Sequence, residues 1–326
     1  MSLPRGDTVV IFTEDADWHT RTLKAAIERT GLSVIVLSLN DCGFAIGETA
    51  HGLKLPGFGD TLPAAAFVRL IAKGTTEQIT ARLGLLHALR ELGVKVMNDA
   101  RAVERCVDKS TTSFLIARAG LPTPRSFVGE DRAAMQALVD EAPGDMVLKP
   151  LFGAQGKGIK RIPPRTQLPE PEKVGGVYYL QDFVTQPGGE GRAELAYQDW
   201  RVFVVGGQVA AAMIRRSPRW ITNIHQGAVG EAAPLDAQAF DYAIRATAAV
   251  GADYAGVDLI EDARGGFQVL EVNSMPAWKG LQKTTEVDIA GALAGHLAGH
   301  LAEALGSVRF TPEPANEPAT PLTPAR

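Results

Sequence analysis

Cysteine is nearly missing from the 326 residues: Cys42 and Cys106 stand alone and far apart, which excludes a disulfide scaffold and a cysteine-based zinc ribbon. No sign of charge dominates either. Thirty-three Lys and Arg against 37 Asp and Glu leave a net charge of -4, so nucleic acid and anionic membrane are not the expected partners. Long apolar runs are absent, and stretches such as residues 202–205 and 209–214 fall well short of the roughly 20 residues a membrane span requires. The first seven residues lead straight into a strand-like stretch without a secretory pattern. No Gly-x-Gly-x-x-Gly follows the first strand, which removes a dinucleotide site there, and no internal repeat is visible. What is present is ordinary globular composition, 45% apolar and 21% charged, in a length that favours two compact units. The expectation is a soluble, cytoplasmic protein.

The first hundred residues alternate β-rich runs (8–13, 33–39, 64–70 and 95–98) with amphipathic stretches (16–29 and 75–93). In the second of these Ile79, Leu83, Leu86, Leu89 and Leu92 form the apolar side, and the alternation is that of a parallel α/β layer. A helix is expected over 100–119, closed by Gly120, Pro122 and Pro124. Then the texture changes to hairpins, beginning with a strand at 146–150, and a last helix is expected over 287–305. The fold class is therefore an N-terminal α/β layer (1–98) followed by an α+β unit (99–308), with a proline-rich, disordered tail over 309–326.

Two hairpins carry chemistry. Gly206-Gly207 separates two β-rich runs, the signature of a two-residue turn. That register pairs Val205 with Gln208 and puts Asp199, Arg201 and Arg216 on one face with Arg215 turned away, an order that one bulge would reverse. In the second hairpin, a two-residue turn at Arg264-Gly265 and a four-residue turn over Ala263-Gly266 both place Asp258 directly opposite Glu271, with Asn273 on the same face. Facing carboxylates repel, so a basic group or a cation must compensate. Two carboxylates and an amide are oxygen-only donors, which suits Mg²⁺.

Between these, Gly153-Ala154-Gln155-Gly156-Lys157-Gly158 follows a strand ending in Lys149-Pro150. Glycines let backbone amides surround phosphate oxygens, and lysines add charge. The spacing is not that of a Walker loop, and a plain glycine-rich turn explains the loop equally well on its own. Joined to Asp258, Glu271 and Asn273 it points to a nucleoside triphosphate.

These motifs, in this order, resemble the ATP-grasp ligases, and specifically the RimK-like branch that forms amides with glutamate. The resemblance runs from about residue 98 to 305. It rests on Asp108-Lys109 with Gly120-Leu121-Pro122, Val147-Leu148-Lys149-Pro150 with its glycine loop, and Tyr179-Leu180-Gln181-Asp182-Phe183-Val184. Asp199-Trp200-Arg201, Arg215-Arg216 and Thr222-Asn223-Ile224-His225 follow, then Leu270-Glu271-Val272-Asn273-Ser274-Met275-Pro276 and the run 283–291. Three departures fall near the substrates: Asp182 where the family carries Glu, Ile214 in place of an acidic residue, and Gln226 where members that modify ribosomal protein carry a basic one.

The resemblance implies two subdomains clamping ATP, a central lid over about 125–190 and an antiparallel sheet over about 191–308. It implies adenine held at Gln181, Asp182, Phe183 and Val184, ribose near Asp199, and phosphates held by Lys109, Lys149, Gly153, Gly156, Lys157 and Gly158, with Asn223 beside them. Two Mg²⁺ ions, or Mn²⁺ in their place, would sit on Asp258, Glu271 and Asn273. Arg201 and Arg216 would be the catalytic arginines, and Arg69, Arg215 and Ser274 would face the substrates. The implied reaction is ADP-forming ligation of L-glutamate to a carboxylate through an acyl phosphate, with a pterin or furan C1 carrier as the acceptor. A protein C-terminus such as that of a ribosomal protein is the alternative acceptor. A kinase that stops at the phosphorylated product and a non-catalytic ATP-binding regulator are the competing activities. Relatives form dimers and tetramers, so a homo-oligomer is compatible. His296 and His300, four apart on the last helix without a visible acidic partner, are read as structural or exposed.

Overall fold

The structure, a computed structural model, describes residues 6–153, 156–187 and 197–308. The expected disordered tail and the loop residues Ala154 and Gln155 lie outside the described residues. The N-terminal layer contains β1 (Thr8–Phe12), α1 (Trp18–Glu28), β2 (Ser33–Leu37), the short pair β3 (Gly43–Phe44) and β4 (Leu53–Lys54), β5 (Ala65–Val68), α2 (Thr76–Glu91) and β6 (Lys95–Met97). The main sheet runs β2-β1-β5-β6, all parallel. Its central strands are apolar on both faces because helices cover both. α1 is capped by Asp17, and α2 opens with a reciprocal Thr75/Gln78 capping box. The buried side of α2 is Arg82, Leu85, Leu86 and Leu89. Ile79, expected on that side, stands at 37% exposure in the first turn, before the helix meets the sheet.

The helix expected over 100–119 is two helices, α3 (Ala100–Val107) and α4 (Lys109–Arg118). Asp108 breaks it. Its backbone is extended and its carboxylate accepts from the Ser110 and Thr111 amides at 2.8 and 3.3 Å, so the side chain caps a new helix instead of continuing the old one. Lys109 thereby becomes the first residue of α4.

Next come β7 (Ser126–Gly129), α5 (Arg132–Asp140), β8 (Met146–Lys149), β9 (Lys160–Ile162) and β10 (Tyr178–Asp182). The strands form an antiparallel sheet in the order β7-β10-β8-β9. It has its own core, in which Met135 and Val139 of α5 pack on Met146, Leu148, Tyr178 and Leu180. The remaining elements are β11 (Tyr197–Val205), β12 (Gln208–Ser217), β13 (Val229–Ala232), α6 (Ala237–Val250), β14 (Tyr254–Glu261), β15 (Phe267–Asn273), α7 (Lys279–Gln282) and α8 (Ile289–Val308). They build an antiparallel sheet in the order β13-β12-β11-β14-β15. One face packs beneath α6 through Val202, Val257, Leu259 and Val269. Phe203, Tyr254 and Trp278 share a second core with α8 and with Ile11, Leu23 and Phe67 of the N-terminal layer.

Asn98 lies at that junction, wholly buried. Its amide nitrogen donates to the Tyr254 and Ser274 carbonyls at 2.8 and 2.7 Å, and its oxygen accepts from the Asp253 amide at 2.6 Å. Among the described residues no helix is long and apolar enough to cross a membrane.

Candidate active site

A cleft of about 770 Å³, counting its open mouth, separates the four-stranded antiparallel sheet from the five-stranded one, within the size range of small-molecule sites. Lys149, Gln181, Asp182, Phe183 and Val184 line one side; Asp199, Thr222, Asn223, Leu270 and Glu271 line the other. Lys149 is the last residue of β8, and its Nζ lies 2.5 Å from Gln181 Oε1. Burial pushes its pKa down to about 8, against the upward pull of Glu271. The Gln181 side chain, 1% exposed, is held in turn by Ser126 and the Tyr179 hydroxyl, so it orients Lys149. Asp182 makes a two-bond pair with Arg125 at the rim, at 3.0 and 3.3 Å. Phe183 lies under the Arg161 guanidinium, 4.0 Å from the ring centre.

Lys109, buried at the start of α4, donates to the Gly153 carbonyl at 2.8 Å and lies 3.9 Å from Glu271. It bridges the glycine loop and the acidic strand. Gly156 has φ +69°, and a Cβ there would meet Asn223 Oδ1 at 2.5 Å and Gln226 Nε2 at 2.8 Å. Only glycine lets the loop close this tightly on the 222–226 segment. Lys157 and Gly158 are exposed.

Both hairpins hold an extra residue. Gly206 and Gly207 have positive φ, and Val205 pairs with Gln208 as the turn requires. One position on, Ala210 is left without a partner, and the register shifts so that Asp199 faces Arg215. The expected faces are therefore exchanged. Arg215, 4% exposed, grips Asp199 through two bonds and reaches Asp258 Oδ2 at 3.1 Å. Arg216 turns away from the cluster and pairs with Glu231 at 3.0 Å and with Gln198. The second hairpin turns through Asp262–Gly266, a longer loop than expected, and a bulge at Leu270 restores the pairing of Asp258 with Glu271.

Asp258 is buried and bound by Arg201, with Nη2 to Oδ2 at 2.9 Å and a second bond from Nε. Burial opposes its charge, but Arg201 and Arg215 outweigh burial and hold its pKa below the ordinary carboxylate value. Glu271 is 30% exposed at the side chain, toward the cleft. Asn273 donates its amide nitrogen to the Gly256 carbonyl at 3.2 Å, which turns its oxygen the other way. Three oxygen donors thus share one face, and their chemistry fits a hard divalent cation.

Two residues expected to face substrates do not lie open in the cleft. Ser274 is 3% exposed, and its carbonyl is taken by Asn98. Arg69 is 8% exposed at the end of β5, over the Trp278 ring at 5.2 Å and 3.5 Å from the Met275 carbonyl. Sequence reading missed Gln186, whose side-chain amide brackets the backbone of Gln198 at the cleft edge. A lone Gln carries no spacing signal that would have revealed it.

The sequence model of the RimK-like ATP-grasp domain matches residues 106–297. The chain belongs to the RimK-like ATP-grasp family. It is similar to the tetrahydromethanopterin:α-L-glutamate ligase of Methanococcus maripaludis, 34% identical over 287 residues that cover 86% of this chain and 94% of that protein. It is also similar to the ribosomal protein bS6–L-glutamate ligase of Salmonella newport, 29% identical over 300 residues, covering 87% and 93%. Among solved structures, the ATP-grasp ligase PsnB complexed with a variant of its minimal precursor, Mg and ADP superposes with a TM-score of 0.70 at 23% identity, over 92% of this chain and 99% of that one. The fold is the ATP-grasp fold. As a RimK-like ATP-grasp protein, the chain is an ATP-dependent ligase that forms a carbon–nitrogen bond.

Proposed function

We propose that this ligase joins L-glutamate in amide linkage to the carboxylate of a small coenzyme of the pterin type, through an acyl phosphate formed with ATP. The observation that carries the reading is that Lys149 and Glu271 line one cleft from opposite sides, with Lys109 3.9 Å from Glu271, Asp258 paired with Glu271 across the hairpin and Asn273 two residues on. A regulator without catalysis would have no need of the full set.

In this reading Lys149 and Lys109 hold phosphate oxygens while the Gly153–Gly158 loop covers them, which shields the acyl phosphate from water. The hinge from Gln181 to Val184 takes adenine. Asp258, Glu271 and Asn273 would hold Mg²⁺, two ions in this reading, with Mn²⁺ as a substitute of like preference. The bound ion neutralises phosphate charge during transfer. Arg201 and Arg215 now carry the part expected of Arg201 and Arg216. With Asp258 engaged by a bound cation, their guanidinium groups would be available to a substrate carboxylate and to the oxyanion that develops on it. Arg69 props the turn after Asn273 and so acts by positioning.

The departures from the family bear unequally on the acceptor. Ile214 is buried beneath α6 and cannot touch a substrate in the cleft. Gln226 packs at the glycine loop, so the loss of a basic residue there does affect the cleft and disfavours an acidic protein tail. Similarity to the tetrahydromethanopterin ligase along nearly its whole length supports the coenzyme.

The test is ADP release with Mg-ATP, L-glutamate and either a reduced pterin bearing a free carboxylate or a peptide with an acidic C-terminus, with products read by mass spectrometry. ADP formation that needs both glutamate and pterin, with a product heavier by a glutamyl unit, is expected, and Glu271→Gln should abolish both signals. Glutamylation of the peptide alone would replace the coenzyme with a protein acceptor. ADP formation with a phosphorylated product and no amide would make the enzyme a kinase.

A further inference from the structure

His296 and His300 are one helical turn apart on α8 and so lie on one face. The sequence shows no acidic partner for them, but the fold supplies one. Asp253, just before β14, brings its Oδ1 to 3.9 Å from His296 Nε2 and 3.7 Å from His300 Nε2. One donor atom from each of the three lies within 4.8 Å of the others. The two rings meet edge to face with centroids 4.6 Å apart.

Three details point to a ligand. His296 Nε2 is shielded from solvent yet has no hydrogen-bond partner, which is costly for a buried polar atom. Its aim is fixed from behind: Gly206 has φ +57°, and a Cβ there would lie 2.6 Å from His296 Nδ1, so the hairpin turn packs against the ring and directs Nε2 toward Asp253. The spacing of 3.7 and 3.9 Å is too long for hydrogen bonds but close to the roughly 3.3 Å between donors in a tetrahedral site with bonds of about 2.0–2.1 Å. An open pocket lined by Gly206, Gln208, Ala292 and His296 gives a path to the cluster.

We propose that Asp253, His296 and His300 form a Zn²⁺ site, separate from the ATP cleft, with water as the fourth ligand. Two imidazoles and one carboxylate suit Zn²⁺ and disfavour Mg²⁺. The chain also provides a competitor. Lys95 Nζ lies 2.6 Å from the same Oδ1, and its side chain, 31% exposed, has room to swing into water when the ion enters. The ion would tie α8 to the start of β14, where the Asp253 amide is already bound to Asn98. It is a structural clasp at the junction of the N-terminal layer and the five-stranded sheet.

The full chain, free of any purification tag and held in excess Mg²⁺ so that the oxygen donors of the cleft are filled, is titrated with Zn²⁺ by calorimetry and with Co²⁺ by visible absorption. One equivalent of Zn²⁺ and the intense visible bands of tetrahedral Co²⁺ are expected. Asp253→Asn and His300→Ala should each weaken binding by at least about tenfold, the lower end of what loss of even a supporting group costs. Lys95→Met removes the competing ammonium and keeps the apolar stem. It should tighten binding severalfold and leave ADP release unchanged. This variant decides the matter even if Asp253→Asn fails to fold, because its effect has the opposite sign. Absence of stoichiometric binding, affinity indifferent to both His300→Ala and Lys95→Met, or a thiolate charge-transfer band placing Co²⁺ on a cysteine would overturn the site.

Discussion

Lys149 stands half-buried at the cleft wall and has a task that needs charge. Burial brings its pKa down to about 8 from an ordinary 10.5, with Glu271 limiting the fall. Near neutral pH the free enzyme therefore carries the ammonium that phosphate requires. Above pH 8 Lys149 is neutral in the free enzyme, and ATP binding must take up a proton. Affinity for ATP should then fall by about tenfold per pH unit, until the nucleotide-bound pKa is passed. Calorimetry in two buffers of different ionisation heat checks this: proton uptake on binding above pH 8, none near neutrality, and neither signal in Lys149→Met. Cys106 shows burial acting on the other charge type, since its thiol is pushed up to about 12. It is no nucleophile at neutral pH, and the ligation chemistry needs none.

At the scale of elements, two bulges decide which side chains face the cleft. Turn composition made the Gly206-Gly207 hairpin and its first pair legible in the sequence, and alternation gave the strand faces. The extra residue at Ala210 was not legible, because nothing in Val209-Ala210-Ala211-Ala212 marks one position as unpaired. From there on every β12 side chain changes face. The second hairpin reached the expected pairing of Asp258 with Glu271 by a different route, since its longer turn and the Leu270 bulge offset each other. The two arginines now separate cleanly. Arg215→Ala leaves Asp199 and Asp258 buried without their shared partner and should cost about 3–5 kcal/mol in urea unfolding. Arg216→Ala, which breaks a partly exposed pair with Glu231, should change stability by about 1 kcal/mol or less and leave activity near the parent value. Equal losses from both would mean the bulge is misplaced. Asp108 makes a similar point, because a helix break set by one side chain leaves the apolar pattern untouched.

For the whole molecule, the main division does not follow the chain. Ile11, Leu23 and Phe67 from the first hundred residues share a core with Phe203, Tyr254, Trp278 and Leu293, whereas the four-stranded antiparallel sheet packs around Met135, Val139, Leu148 and Leu180 by itself. Strand-helix alternation marked the N-terminal layer and hairpin turns marked the antiparallel part, but neither pattern carries information on which layers fuse. Asn98 is the polar joint of the fused body. Asn98→Ala removes three short hydrogen bonds to Tyr254, Ser274 and Asp253, and should destabilise the protein by about 3 kcal/mol or more. Hydrogen exchange should then quicken together in β6, β14 and α8, while amides of β8 and β10 stay unchanged. Uniform quickening everywhere would show that the bodies are not independent.

That independence bears on how nucleotide traffic and acceptor choice can diverge. One side of the cleft belongs to the body with a private core, and the other to the wall fused with the N-terminal layer. A chimera that takes residues 126–182 from a relative should therefore alter the rates at which ATP enters and ADP leaves, while the molecule that receives the amide stays the same.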